Sequence, residues 1–125
     1  MQVSELIGGQ VITCTPDTTV TKAAGLMVAN DAGSLAVVMD DDLVGIITER
    51  DLIGCVANGF DSETRVVSVM TPNPDSLEPD VELRDAADWM LGAGYRHLPV
   101  VEGGRLIGML SIKDVLWGLV DGRAG

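Results

Sequence analysis

The sequence is poor in aromatic residues, with two Trp, one Tyr and one Phe among 125 positions. Its apolar share is still 46%, so the core must be aliphatic, built from Val, Leu, Ile, Ala and Met. No apolar run approaches the ~18 residues of a membrane span. The opening "MQVSELIGG" lacks both the basic start and the long apolar middle of a secretory signal. The expected location is therefore the cytoplasm, away from any membrane. Cysteine is scarce too. Cys14 and Cys55 have no CxxC spacing and no neighbouring His, which sets aside zinc and disulfide scaffolds. They read as small buried apolar residues or free thiols.

Positive charge is the third shortage. Eight Lys and Arg face 19 Asp and Glu, for a net charge of −11, and the only lysines are Lys22 and Lys113. Nucleic-acid binding needs clustered cations to displace counterions, so it is excluded, and anionic membranes are disfavoured. In so acidic a chain, any gathering of cations calls for an explanation.

What the sequence has is a repeat. Shifted by 63 positions, it aligns with itself without a gap from Val3 onward. Identical pairs include Val3/Val66, Pro16/Pro79, Asp17/Asp80, Ala23/Ala86, Ala24/Ala87 and Met27/Met90. Further on come Leu35/Leu98, Val37/Val100, Val38/Val101, Leu43/Leu106, Gly45/Gly108 and Asp51/Asp114. One ungapped diagonal of this kind marks a duplication.

Each copy carries the same signals. Pro16-Asp17 and Pro79-Asp80 mark turns before a helix. Val20, Ala23, Ala24, Met27 and Val28 then form one apolar helix face, matched by Leu83, Ala86, Ala87, Met90 and Leu91. Two short apolar runs follow, "LAVVM" and "LVGII" around the aspartates 40–42, or "LPVV" and "LIGML" around 102–105. Such runs, split by a turn, read as a buried hairpin. A second helix is expected over 49–56 and 112–120, and a first strand near 11–14 and 75–78. The fold class is α/β (α+β), with two tandem β-α-β-β-α units over 1–58 and 66–125 and a linker over 59–65. A unit of this size is marginal alone, and two copies packing their sheets together would remedy that.

The repeat also duplicates a small motif, Gly45-Ile46-Ile47-Thr48-Glu49-Arg50-Asp51 against Gly108-Met109-Leu110-Ser111-Ile112-Lys113-Asp114. The S/T-x-x-D spacing is a capping box that opens a helix. It also sits where a strand meets a helix N-terminus, a place suited to phosphate. A carboxylate there offers two acceptors to the two O–H donors of a ribose diol. The glycine three residues earlier is expected to leave room for a flat group near the strand. Capping and binding are compatible roles.

Tandem units ending in G-h-x-[ST]-x-x-D resemble the cystathionine-β-synthase (CBS) domain pair, or Bateman module. Val69-Met70-Thr71-Pro72 and Tyr95-Arg96-His97-Leu98-Pro99-Val100 add to the resemblance, which covers essentially the whole chain. Copy one departs from it at Leu6-Ile7-Gly8-Gly9 and at Gly33-Ser34-Leu35-Ala36. The resemblance implies two pseudo-twofold clefts for adenosine-type ligands: AMP, ADP or ATP, and sometimes S-adenosylmethionine. It implies that Thr48 and Asp51 hold one ribose and first phosphate, with Arg96, His97 and Lys113 from the opposite copy. Ser111 and Asp114 would hold the other, with Ser34 and Arg50. The backbone around Ser76 and around Thr13 would flank the bases, and Pro99 counts among the ligand-binding candidates. Arg96 is also within reach of its own copy's cleft.

Each candidate has a plainer role as well: Arg96 as a solvated loop charge, His97 as a packed strand-edge residue. Lys113 in the first turn of a helix is electrostatically unfavourable, which favours a functional reason. Trp89 reads as core or interface, and Trp117 as a subunit interface. No nucleophile–base pair or metal cluster is visible, so an enzyme is not expected and no obligatory cofactor is implied. The reading is a stand-alone regulatory sensor of adenosine nucleotides, a homodimer acting on a target protein in trans. The alternatives are a ligand-free docking module, or a sensor of S-adenosylmethionine-type ligands that would prefer the cleft without Arg and Lys.

Overall fold

The computed structural model describes residues 1–8 and 11–121, apart from the side chain of Asp121. It divides into two compact units, Val11–Pro74 and Met1–Gln10 with Asp75–Gly125. The packing units therefore differ from the sequence repeats at one point: each lead segment belongs with the other copy.

In the unit Val11–Pro74, β1 (Thr13–Cys14) leads to α1 (Val20–Asn30), β2 (Ser34–Met39), β3 (Asp42–Thr48) and α2 (Glu49–Asn58). The four-stranded sheet runs β1-β2-β3-β4, where β4 is Thr71–Pro72 from the lead segment of the second repeat. β1 is parallel to β2, and the other neighbours are antiparallel. The hairpin turn at Asp40 and Asp41 has φ of 51° and 69°, the left-handed geometry that a tight two-residue connection demands. The second repeat meets the same demand with Gly103 and Gly104, at 57° and 83°. The core is aliphatic as expected, built on Ala23, Met27, Leu35, Val37, Ile47 and Val66.

The other unit repeats the plan with α3 (Leu83–Ala93), β5 (His97–Glu102), β6 (Arg105–Ser111) and α4 (Ile112–Asp121). Its expected first strand over 75–78 shrinks to one parallel bridge, Leu77 with Val100. Leu77 donates to the Pro99 carbonyl at 2.9 Å and accepts from Val101 at 2.8 Å. Pro79, lacking an N–H, cannot extend it. Leu83, Ala86, Met90, Leu98, Val100, Leu110 and Val115 fill this core, with Val3 from the first repeat's lead segment.

The exchange of lead segments is reciprocal. Val3 N–H donates to Val81, Ser4 to Pro79, and Leu83 to Met1. Val66 donates to Thr18, Val67 to Pro16, and Val20 to Thr64, the same three bonds one repeat on. In the sequence this coupling is invisible, because the two partners lie in different copies.

The helix faces depart from expectation at their ends. Val20, Ala23 and Met27 are buried, as are Leu83, Ala86, Ala87 and Met90, but Val28 is 83% exposed and Leu91 62%. Eight steps of 100° carry a residue 80° round the axis, off the stripe that faces the sheet.

Candidate functional site

The two repeated motifs occupy equivalent junctions, the end of β3 with the start of α2 and the end of β6 with the start of α4. At the first, the capping box is fully formed. Thr48 Oγ1 accepts from the Asp51 N–H at 3.3 Å, and Asp51 Oδ2 accepts from the Thr48 N–H at 2.8 Å and the Thr48 hydroxyl at 3.1 Å. The Glu49 N–H donates to the Gly33 carbonyl at 3.0 Å, satisfying another first-turn donor. Asp51 Oδ1 has no partner among the described residues.

At the second junction only half of the box forms. Ser111 Oγ accepts from the Asp114 N–H at 3.1 Å, and the Ile112 N–H donates to the Arg96 carbonyl at 2.9 Å. The Asp114 carboxylate is exposed and has no partner among the described residues. The duplicated motif thus gives one aspartate half-committed to capping and one wholly uncommitted.

Strand register settles which candidates are neighbours within a unit. Ser34 lies directly opposite Thr48, and His97 directly opposite Ser111. Ser34 and Arg50 therefore stand with Thr48 and Asp51, whereas Arg96, His97 and Lys113 stand with Ser111 and Asp114. Ser34 is only 6% exposed, while Arg50, Arg96 and Lys113 are exposed. Thr13 is exposed on β1, Ser76 is exposed just before the Leu77 bridge, and Pro99 is buried in β5.

The glycine of the motif serves a different purpose from the one its position suggested. A Cβ on Gly108 would lie 2.8 Å from both Cβ and Cγ2 of Ile7. A Cβ on Gly45 would run into the Met70 sulfur and lie 3.1 Å from the Thr71 carbonyl oxygen. The room beside each strand is taken by the lead segment of the other repeat, not left for a flat ligand group. Gly9, part of the Leu6-Ile7-Gly8-Gly9 departure, lies outside the described residues.

One interaction had no sequence signal. The Tyr95 hydroxyl donates to the Asp75 carboxylate, tying the segment before Leu77 to the end of α3, and the Trp89 ring meets Tyr95 edge-on at 5.7 Å. That hydrogen bond, then burial and the negative charge of Asp75, pushes the Tyr95 pKa up. The partners are twenty residues apart, and neither belongs to a repeated pair.

Cys14 and Cys55 are free and buried. Burial pushes the Cys14 thiol up to about 11 from 9.0, so it is a protonated core group at neutral pH. Because the folded pKa is raised, its contribution is fully present below pH 9.0 and is lost as pH rises towards about 11. The alkaline loss of stability in that window should be smaller in Cys14→Ala than in wild type, measured by denaturant titration against pH. An equal loss would remove Cys14 as its source. Among the described residues, no group of three His, Cys, Asp or Glu side chains could hold a metal ion. No helix among them is long and apolar enough to cross a membrane.

The CBS domain family model matches the chain twice, over residues 3–58 and 66–121. The CBS domain-containing protein YhcV of Bacillus subtilis is 33% identical over 90% of this chain and 81% of its own length. The CBS-domain containing protein ATU1752 of Agrobacterium tumefaciens superposes with a TM-score of 0.88 at 34% identity, covering 95% of this chain and 99% of its own. CBSX2 of Arabidopsis thaliana, solved in complex with AMP, superposes at 0.84 and 27% identity, covering 98% of each chain. With the duplicated fold and the paired strand–helix junctions, these likenesses place the chain in the CBS-domain family, as a tandem pair.

Proposed function

We propose that this protein is a regulatory module that binds an adenosine nucleotide at its strand–helix junctions, with Asp51 and Asp114 as the ribose ligands. One observation carries the reading: capping leaves acceptor oxygens over at both junctions. Asp51 keeps Oδ1 and Asp114 keeps both oxygens, the complement of a diol's two O–H donors. Thr48 and Ser111 stand beside them, and Arg96 and Lys113 are proposed as phosphate ligands. Ser76, Thr13 and Pro99 would lie along the base. The likeness to CBSX2, solved with AMP, supports an adenosyl ligand. Occupancy is transmitted by shape or association rather than by chemistry.

The test is calorimetric titration of nucleotide-stripped protein with AMP, ADP, ATP and S-adenosylmethionine. Saturable binding of at least one is expected. Binding of none would leave the ligand-free docking role as the better account.

The module is further proposed to be a homodimer. Exposed apolar side chains line the last helix: Leu116 at 44%, Trp117 at 62% and Val120 at 76%. On α2, Ile53 is 68% exposed and Val56 73%. Faces this apolar are unusual on a monomer. Sedimentation should show a dimer at micromolar concentration, and Trp117→Glu should shift it to monomer. A clean wild-type monomer would overturn the assignment.

A further inference from the structure

Asp75, Trp89 and Tyr95 form a contact that the first repeat does not reproduce. They stand where the 63-residue shift places Ile12, Leu26 and Ala32. Ile12 and Leu26 pack against the aliphatic core of their unit. Of the three later residues only Tyr95 packs against a core. Asp75 is exposed, and Trp89 is 38% exposed and meets the Tyr95 ring edge-on. The fold does not need this trio, because its duplicate closes with aliphatic side chains. Yet half of the chain's four aromatic residues gather here.

The cluster is held in place. The Tyr95 hydroxyl donates to Asp75 Oδ2, and the ring contact braces the indole. Asp75 Oδ1 and the indole N–H have no partner among the described residues. Asp85 lies four residues before Trp89, on the turn over which a helical side chain leans. The first repeat has Lys22 at that place, and Gly25 in the place of Asp88. Neither Asp85 nor Asp88 has an ion-pair partner among the described residues. The helix start favours a carboxylate at Asp85, but its field does not reach Asp88. Arg84, the only cation of α3, lies about 140° round the axis from Trp89.

We infer that this face of the second unit docks an arginine-bearing segment of a partner protein, with Trp89 as its anchor. A guanidinium laid on the open indole face gains cation–π attraction. The carboxylates of Asp75, Asp85 and Asp88 supply acceptors for its fork of N–H donors. An indole already braced by Tyr95 loses little freedom on binding, the property of an interface anchor. An acidic or phosphorylated partner is repelled by the same carboxylates. An aliphatic one would bury them unpaired, which is costly. Arginine fits better than lysine because its planar group stacks and bonds at once. Trp89, Tyr95, Asp85 and Asp88 hold no role at the strand–helix junctions, so the inference is independent of the adenosyl reading.

The probe is a capped peptide of alternating arginine and glycine, titrated calorimetrically into the full chain, with its glutamate counterpart as control. Saturable binding of the arginine peptide alone is expected. Two variants take the first repeat's own residues, Trp89→Leu and Asp85→Lys. Each should weaken the arginine peptide about tenfold. Both should melt near wild type, because the first repeat folds with Leu26 and Lys22 at those places. No binding to wild type, or equal binding of the glutamate peptide, would overturn the inference. So would undiminished binding by both variants, which would assign the attraction to the acidic surface at large. Sedimentation tests the other occupant, a second copy of this chain. Trp89→Leu should leave the association state unchanged, and a shift to a smaller species would overturn the assignment.

Discussion

Gly108→Ala should lower the stability of the ligand-free protein by about 1–3 kcal/mol, the usual penalty of forcing extra volume into a packed site. The new methyl would meet Cβ and Cγ2 of Ile7 at 2.8 Å and Cδ1 at 3.2 Å. Ile7 is β-branched, with one preferred side-chain rotamer, and its Cβ is fixed to the backbone, so it cannot turn aside. Gly45→Ala should cost less. There the obstacle is mainly the Met70 thioether, a flexible group that can rotate away, although the Thr71 carbonyl at 3.1 Å limits the gain. The exchanged lead segments predict coupling as well. Gly108→Ala combined with Ile7→Ala should be less destabilised than the sum of the two single changes, as should Gly45→Ala with Met70→Ala. Chemical denaturation of the four single and two double variants would check this. Strict additivity in both pairs would mean that the lead segments do not rest on these glycines.

The second large effect separates capping from binding at the two aspartates. Asp51→Ala removes the acceptor of two Thr48 hydrogen bonds, and should cost ~0.5–2 kcal/mol of ligand-free stability. Asp114→Ala removes no carboxylate hydrogen bond, so its melting temperature should stay near that of wild type. Both should weaken ribose binding at their own junction by at least roughly tenfold, about 1.4 kcal/mol. Asp51→Asn is the sharper variant. It can keep an acceptor oxygen towards Thr48 while replacing the outward Oδ1 with a donor that faces the donors of the diol. It should retain most of the stability and lose most of the adenosine affinity at that junction. Normal binding by both Asp51 variants would leave capping as the whole role of the residue.

The extent to which this molecule was legible in its sequence follows the range of each signal. Local periodicity foretold both helices and the hairpin of each copy, and the 63-residue shift foretold the equivalence of the junctions. The aliphatic core followed from composition. What depended on contact between distant segments was hidden. Nothing near Gly45 or Gly108 announces Met70 or Ile7, so the glycines invited a ligand explanation that the packing replaces. The reciprocal cap at Asp51 and its absence at Asp114 come from identical spacing, and only coordinates distinguish them. In the sequence, Ser34 stands only as part of the departure Gly33-Ser34-Leu35-Ala36 and as a ligand candidate beside Ser111 and Asp114. Its register opposite Thr48 makes it a nearly buried hydroxyl at the first junction.

The central claim is that Asp51 and Asp114 hold a ribose diol, and one comparison addresses it most directly. Nucleotide-stripped wild-type protein should be titrated with AMP and with 2′-deoxy-AMP under identical conditions. The deoxy ligand lacks one of the two O–H donors and leaves a carboxylate acceptor unmatched, a loss of ~1.5–3 kcal/mol for a hydrogen bond to a charged group. The account predicts binding at least about tenfold weaker for 2′-deoxy-AMP. Equal affinity for the two nucleotides would contradict it.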